Sequence, residues 1–158
     1  MNHNTEQHTL YLEDMAKGQV YVSGELALSK EEIVDFASKF DPQPMHMDEE
    51  AAKNSLFGKL VGSGWQTLNA TIRLMVERKP FGETPLIGVQ VDDIRFEQPL
   101  LPGAVLQAEM EILEVWPSNS KPDRGFVRVE VKTKSNGEPM LSQKWTMLVP
   151  TKAGKEGA

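Results

Sequence analysis

The side chains best suited to chemistry lie in residues 41–47, DPQPMHM, where Asp41 and His46 flank two prolines. An imidazole titrates near neutral pH, and a carboxylate can orient a water molecule or accept its proton. Because Pro42 and Pro44 fix their own φ angles, we predict a rigid loop that holds both side chains against one small molecule. The alternative interpretation is structural: Asp41 ends a helix, and His46 is a hydrogen-bonded loop residue.

Residues 62–65, GSGW, form a second candidate element at the predicted start of a long helix. The first backbone N–H groups of a helix lack intrahelical acceptors and lie at the positive end of its dipole. A glycine at position 64 lets a ligand approach these groups closely, so they are suited to bind the oxygen of a carbonyl that becomes an enolate. The alternative is an ordinary N-cap with a flexible glycine.

A helix is predicted immediately before residues 41–47. A strand over residues 20–28 comes first, and Ser29 and Glu32 then have the S-x-x-E spacing of a capping box. The apolar residues that follow have the spacing of one buried helix face: Ile33, Phe36, Ala37 and Phe40. The helix should end at Asp41, because a residue before proline disfavours the α conformation. Asp48 is predicted to cap a short helix over residues 49–53.

A second, longer helix is predicted from residues 63–64 to Lys79, where Pro80 ends it. About 16 residues at 1.5 Å each give a length of roughly 24 Å, enough to cross a domain. Its apolar residues form one continuous stripe, which we expect to face the core: Trp65, Leu68, Ile72, Met75 and Val76.

The second half of the chain has the two-residue period of β-strands. Strands are predicted over residues 86–96, 105–115, 126–134 and 141–149, with a tight hairpin at Asn136-Gly137. Helices followed by a meander of four strands predict an α+β fold, in which a curled antiparallel sheet wraps around the long central helix. We expect a single domain over residues 11–150 with disordered tails at residues 1–10 and 151–158, because both ends lack an apolar pattern.

Composition limits the classes of function. The chain has 158 residues, no cysteine and a net charge of −6. The lack of cysteine excludes disulfides, thiolate metal sites and cysteine nucleophiles, and the acidic balance argues against binding to nucleic acid or anionic membranes. His46 and Asp48 lack a third ligand at suitable spacing, so no metal site is predicted. Because the chain has no apolar run of membrane-spanning length and a polar N-terminus unlike a secretory signal, we expect a cytoplasmic protein.

Three segments, in order, resemble the MaoC-like dehydratases and the R-specific enoyl-CoA hydratases, which are hotdog-fold proteins. Residues 40–52, FDPQPMHMDEEAA, resemble the hydratase motif of the family, with its aspartate, proline and histidine at Asp41, Pro44 and His46. Residues 57–65 resemble the start of the family's central helix, and residues 91–103 resemble the strand and turn that follow it. The resemblance runs from Val20 to Val149.

The resemblance implies a hotdog fold and a lyase of fatty acid metabolism that adds water reversibly to a trans-2-enoyl-CoA or a related acyl thioester. Asp41 and His46 would be the catalytic residues, and Gly64, with Ser63 and Trp65, would bind the thioester oxygen and the substrate. No cofactor is implied, since coenzyme A is part of the substrate. Because a single hotdog leaves sheet edges unpaired, a homodimer or a higher homo-oligomer is expected.

The sequence departs from the commonest family form at Phe40, Gln43 and Ser63, where that form has glycine, asparagine and histidine. A serine that contacts the substrate one turn into the family's helix corresponds to about Asn69. We expect these departures to affect which substrate the protein binds and to leave the fold unchanged.

Two other functions fit the same fold. A hotdog acyl-CoA thioesterase would need a carboxylate or a nucleophile on the central helix, and the only carboxylate in residues 65–78 is Glu77, at the far end. A non-catalytic protein that binds an acyl thioester without turnover is the third possibility, and the Asp41/His46 pair argues against it.

Overall fold

The structure of the protein is a computed structural model that describes residues 9–156. After a short 3-10 turn at Leu12–Asp14, the elements in chain order are β1 (Val20–Leu28), α1 (Lys30–Phe40), α2 (Pro44–Met47), α3 (Glu49–Lys53), α4 (Gly64–Arg78), β2 (Ile87–Phe96), β3 (Ala104–Pro117), β4 (Arg124–Ser135), β5 (Glu138–Pro150) and α5 (Lys152–Glu156). Within the described residues, no helix is both long and apolar enough to cross a lipid bilayer.

The five strands form one antiparallel sheet in the order β1-β3-β4-β5-β2, so the predicted α+β class is confirmed. The hairpin between β4 and β5 turns at Asn136 and Gly137 with φ angles of 50° and 82°, the positive values that a type I′ turn requires. The predicted four-strand meander is wrong in one respect, because β2 lies at the far edge beside β5 and not beside β3. The connection between β2 and β3 contains Pro99 and Pro102, which lack the N–H groups that a hairpin ladder needs.

Helix α4 packs against β1 and β3, but it does not bury the predicted apolar stripe. Met75 is buried as expected, whereas Trp65 is 62% exposed and Val76 is 54% exposed. The buried residues of α4 are mostly small or polar: Gln66, Thr67, Ala70, Thr71, Leu74 and Met75. The apolar stripe is therefore left on the surface.

The polar face of α4 can be buried because its hydroxyl groups are paired. Thr71 donates a hydrogen bond to the carbonyl of Thr67 at 2.8 Å, so its oxygen accepts the hydroxyl of Thr133 on β4 at 2.6 Å. Thr71 and Thr133 are both fully buried. Burying a polar group costs free energy when the group loses its hydrogen bonds to water and gains none in the protein. The paired hydroxyl groups avoid most of this cost, so a prediction that buries only apolar residues places the wrong face of α4 in the core.

Helix α1 begins as predicted but buries less of its surface. Ser29 Oγ accepts the Glu32 N–H at 3.1 Å, and the Glu32 carboxylate accepts the Ser29 N–H at 3.2 Å, which completes the capping box. Ile33 is fully buried, whereas Phe40 is 71% exposed, so the predicted apolar face is too long by one turn. The Phe40 ring packs on Phe36 instead, with 5.1 Å between ring centroids.

The chain ends differ from the predicted tails wherever the structure describes them. Thr9 forms an antiparallel bridge with Gly82, and the Leu10 N–H donates to the Phe81 carbonyl at 3.2 Å. Thr151 is 5% exposed and donates its hydroxyl to a carbonyl at 2.8 Å, and α5 follows it. Hydrogen bonds of polar groups attach both ends to the rest of the domain, and a search for apolar patterns does not detect such bonds. Residues 1–8 and 157–158 of the predicted tails lie outside the described residues.

Gly62 lies where the start of α4 meets the connection between β2 and β3, and it has no room for a side chain. A Cβ on Gly62 would lie 2.5 Å from Leu100 Cδ2, and Leu100 is 1% exposed. We expect Gly62→Ala to lower the free energy of unfolding by about 1–3 kcal/mol, the scale of overpacking, as measured by urea denaturation. The control is Gly24→Ala, where no heavy atom lies within 4 Å of the added Cβ, and the change should stay within about 0.5 kcal/mol. Equal losses in both variants would contradict the packing argument.

Candidate active site

The Asp41 carboxylate is held by two neutral donors. Asp41 ends α1, where its N–H still donates to the Ala37 carbonyl at 2.9 Å. Its Oδ1 accepts the side-chain amide of Gln43 at 2.7 Å, and its Oδ2 accepts the hydroxyl of Ser63 at 2.7 Å. These bonds favour the ionised form, and the Ser63 hydroxyl is the main cause that lowers the pKa of Asp41, against the opposing effect of burial.

His46 lies in α2 with its imidazole buried and its tautomer set by the backbone. The side chain is held between Asp41 and the segment before α4, and the residue is only 6% exposed. Nδ1 lies 2.6 Å from the Val61 carbonyl, which can only accept, so Nδ1 carries the proton. The neutral ring therefore has its lone pair on Nε2, which lies 3.4 Å from Asp41 Oδ2. This distance is too long for a strong direct hydrogen bond, and it suits two groups that share one water molecule.

The predicted rigid loop is partly a helix, and Val61 fixes its position. Residues 44–47 form one helical turn with Pro44 at its first position, where a missing N–H has no cost. The Val61 N–H donates to the Met45 carbonyl at 3.2 Å, so Val61 holds this turn through both its N–H and its carbonyl. The next residue, Gly62, donates to the Leu100 carbonyl at 2.7 Å, which fastens the same segment to the connection between β2 and β3.

Ser63 and Gly64 begin α4 close to Asp41. Ser63 is the N-cap, and its oxygen accepts the Trp65 N–H at 3.2 Å while its proton goes to Asp41. The Gly64 N–H has no acceptor within residues 9–156, and it lies at the positive end of the helix dipole. A Cβ on Gly64 would lie 2.6 Å from the Phe96 ring, so only glycine leaves this approach open.

These groups line one cavity of about 490 Å³, which we call the site cavity. Asp41, His46, Gly64 and Trp65 all reach it, so the structure brings together four of the five predicted site residues. Its remaining walls are mostly apolar and include Met45, Phe57, Phe96, Leu100 and Met140. Ser63 is fully buried beneath the cavity and does not line it.

Sequence reasoning did not assign a function to Gln43 or Val61. In the sequence Gln43 stands out only as a departure from the family motif, and its position between the two prolines is the one signal of its role. The sequence gives no signal for Val61, because Val61 acts through its backbone N–H and carbonyl and not through its side chain. Glu77, the carboxylate that a thioesterase would need, pairs with Arg73 at 2.9 Å on the exposed side of α4. Among residues 9–156, no three histidine, aspartate or glutamate side chains come together as metal ligands.

We expect Ser63→Ala to raise the pKa of Asp41 toward its ordinary value. The lost hydroxyl is a donor to the ionised carboxylate, so its removal destabilises the charged form, and Asp41 binds a proton at higher pH. The measurement is a pH titration of the Asp41 carboxyl carbon by NMR. Ser38→Ala, which removes a hydroxyl that bonds to the Asp35 carbonyl in α1, should leave the Asp41 titration in place. An unchanged pKa in Ser63→Ala would mean that this bond does not stabilise the carboxylate.

Comparisons with known proteins identify the family of this chain. Residues 13–136 match the family model of the MaoC like domain. The uncharacterized protein YdeM of Bacillus subtilis (strain 168) is 32% identical over 127 residues, which cover 80% of this chain and 89% of that protein. Protein MaoC of Klebsiella aerogenes is 30% identical over 102 residues, which cover 63% of this chain and 30% of that protein.

Solved structures give the same result. The MaoC-like dehydratase from Rhodospirillum rubrum is 37% identical and superposes with a TM-score of 0.82, covering 90% of this chain and 98% of that chain. The R-hydratase PhaJ1 from Pseudomonas aeruginosa is 20% identical with a TM-score of 0.72, covering 91% and 88%, a likeness of fold alone. The predicted hotdog fold is thus confirmed, with an open five-stranded sheet. The chain belongs to the MaoC-like dehydratase family.

Proposed function

We propose that this protein is a hydratase/dehydratase that adds water reversibly to the double bond of a trans-2-enoyl-CoA or a related acyl thioester. The observation that carries the proposal is the arrangement around the site cavity. Nε2 of His46, the ring nitrogen that is not bonded to the backbone, lies 3.4 Å from an Asp41 carboxylate oxygen, and Gly64, whose N–H lacks an acceptor in the described residues, lines the same cavity. A base, an anion and an oxyanion donor are the groups that hydration of an α,β-unsaturated thioester requires.

In the proposed reaction, one water molecule in the site cavity contacts both Nε2 of His46 and the Asp41 carboxylate. Nε2 of His46 takes a proton as the water oxygen bonds to Cβ, and the π electrons move onto the thioester to give an enolate. The Gly64 N–H and the helix dipole stabilise the negative oxygen of that enolate. The protonated imidazole then returns its proton to Cα on the same face, and the thioester carbonyl re-forms.

Asp41 is assigned a different task from His46. Both of its oxygens already accept hydrogen bonds, from Gln43 and Ser63, and its pKa is lowered. A carboxylate in this environment is a weak proton acceptor, so it orients the water and stabilises the imidazolium. Ser63 was predicted to contact the substrate, and we now propose that it positions Asp41 and caps α4. Gly64 and Trp65 retain the proposed contact with the substrate.

We expect Asp41→Asn and His46→Gln each to lower kcat by about 10²–10⁴, the usual scale for lost acid–base catalysis. The double variant should lose little more than the worse single variant, because the two groups act on one water molecule and their effects are not additive. The measurement is the change in enoyl-thioester absorbance with trans-2-enoyl-CoA substrates of graded length. KM should change much less, since neither change removes the apolar walls of the cavity.

The control for this experiment is Asp35→Asn, which removes an exposed carboxylate of α1 paired with Lys39. It should retain full activity, and melting curves should show that all variants fold. If Asp41→Asn and His46→Gln fold and retain near-native kcat, the pair is structural, and the protein is then a binding module or an enzyme with its chemistry elsewhere.

We also propose a homodimer formed through the edge strand β2. Nearly every residue of β2 is exposed, and its apolar residues on both faces, such as Ile87, Val89 and Phe96, are 47%, 56% and 54% exposed. The exposed residues of α4, among them Ile72 and Val76, add further apolar surface. An unpaired edge with so much apolar surface favours pairing, and two copies related by a two-fold axis would extend the sheet.

We expect Val89→Lys to convert the dimer to a monomer at micromolar concentration, as measured by light scattering. A two-fold contact would bring two introduced charges together on a desolvated edge. The matched control is Val20→Lys, at a valine of similar exposure (48%) on the opposite edge strand β1, and it should leave the mass unchanged. A monomeric wild-type protein would contradict the proposed dimer.

A further inference from the structure

A second cavity, which we call the groove, lies between α4 and the edge of the sheet. It has a volume of about 340 Å³ and is lined by residues of α4, β2, β5 and the loop before β2. Most of its lining is apolar, with Leu68, Ile72, Val91 and Met147 among the side chains that form it. Its size and lining are those of a small-molecule site.

The groove and the site cavity have one lining residue in common, Trp65. Trp65 is the second residue of α4, next to the Gly64 N–H that we assign to the thioester oxygen. Asn69 and Ile72 line the groove five and eight residues beyond Gly64, which places them about 7–12 Å further along the helix. An acyl group held at Gly64 would enter the groove by running along α4 past Trp65.

Two amide side chains line the groove, the exposed Asn69 and the buried Gln143, and the buried one is out of place in an apolar pocket. Gln143 lies on β5 and is 2% exposed, and its side-chain nitrogen Nε2 has no hydrogen-bond partner in the described part of the chain. Its neighbours on the same face of β5, Leu141 and Trp145, are buried, as is Val131, its partner across the sheet. Leaving a buried amide donor unpaired is costly, so this donor calls for an acceptor that enters the groove.

The chemistry of the groove limits what that acceptor can be. Among residues 9–156, no lysine, arginine or histidine lines it, so a carboxylate or phosphate in the groove would be a buried and uncompensated charge. A neutral oxygen, as in a ketone or a hydroxyl group, can accept from Nε2 without that penalty. Gln143 does not line the site cavity, so the oxygen that it binds lies beyond the double bond of the substrate.

We propose that the groove binds the acyl group of the substrate and that Gln143 donates a hydrogen bond to a neutral oxygen on it. The preferred substrate is then an enoyl thioester whose acyl chain carries a ketone or hydroxyl group beyond C3, and Gln143 is a specificity-determining residue. This inference rests on the proposed function for the reaction itself. A plain hydrocarbon chain would fit the groove but would leave the donor unpaired.

The test compares trans-2-hexenoyl-CoA and trans-2-octenoyl-CoA with the same chains bearing a ketone on the penultimate carbon. At one of these chain lengths, we expect kcat/KM of the wild type to be about tenfold higher for the keto substrate than for the plain substrate, which is the scale of one buried hydrogen bond. Gln143→Leu should remove this preference, because it keeps the volume and deletes the donor. It should also melt at or above the wild-type temperature, since it removes an unpaired buried donor.

The matched control is Gln66→Leu, at a second buried glutamine that lines neither cavity, and it should keep the preference. Equal kcat/KM values for plain and keto substrates in the wild type would overturn the inference and leave the hydratase intact. Loss of stability or of dimer mass in Gln143→Leu would also overturn it, since the amide would then be paired within the protein or with a second copy.

If no enoyl thioester is hydrated, the proposed function fails, and a separate measurement is needed to test whether the groove binds an acyl group. Calorimetry with the saturated keto and plain acyl-CoA thioesters then measures binding alone. Tighter binding of the keto compound that Gln143→Leu abolishes would support the groove assignment without turnover. Equal affinities for the two compounds would overturn it.

Discussion

The hydroxyl group of Ser63 is the contact on which the geometry of the site depends. It donates to Asp41 Oδ2 at 2.7 Å and accepts the Trp65 N–H at 3.2 Å, and the residue is fully buried. One oxygen atom therefore joins the end of α1 to the start of α4. In the proposed reaction the Asp41 carboxylate and the Gly64 N–H face the same substrate, so the distance between them has to be fixed, and Ser63 links the two from below the cavity. The backbone of Val61 does the same for His46 on the other side.

The orientation of α4 explains why this small fold has so much apolar surface. Thr67 and Thr71 turn toward the sheet, where the hydroxyl of Thr71 is paired within the helix and with Thr133. The stripe that contains Trp65 and Ile72 consequently faces outward, next to the bare edge of β2. An exposed surface of this kind is a cost to a monomer unless it binds something. The groove and the edge of β2 are the two places where this surface could be covered.

Gln143 shows how a functional group can conflict with the fold around it. Every other side chain near it on the inner face of β5 is apolar, and an apolar residue would satisfy packing better than an amide whose nitrogen has no partner. Violations of local packing rules concentrate at functional sites, where another gain offsets their cost. Gln43 is the opposite case, because its amide nitrogen donates to Asp41 at 2.7 Å and stabilises the charge that it contacts.

The sequence by itself determined the local elements and singled out Asp41 and His46 as the candidate reactive pair. The capping box of Ser29 and Glu32, the hairpin at Asn136-Gly137 and the ends of α4 all follow from hydrogen bonds between residues a few positions apart, so short patterns encode them. Tertiary structure alone decided which face of α4 is buried, where β2 pairs, and that the Val61 carbonyl, 15 residues away, sets the tautomer of His46. These features depend on hydrogen bonds between polar atoms that are far apart in the sequence. A prediction from hydrophobic periodicity places every polar residue on the surface, although the fold can bury such a residue when it supplies a hydrogen-bond partner.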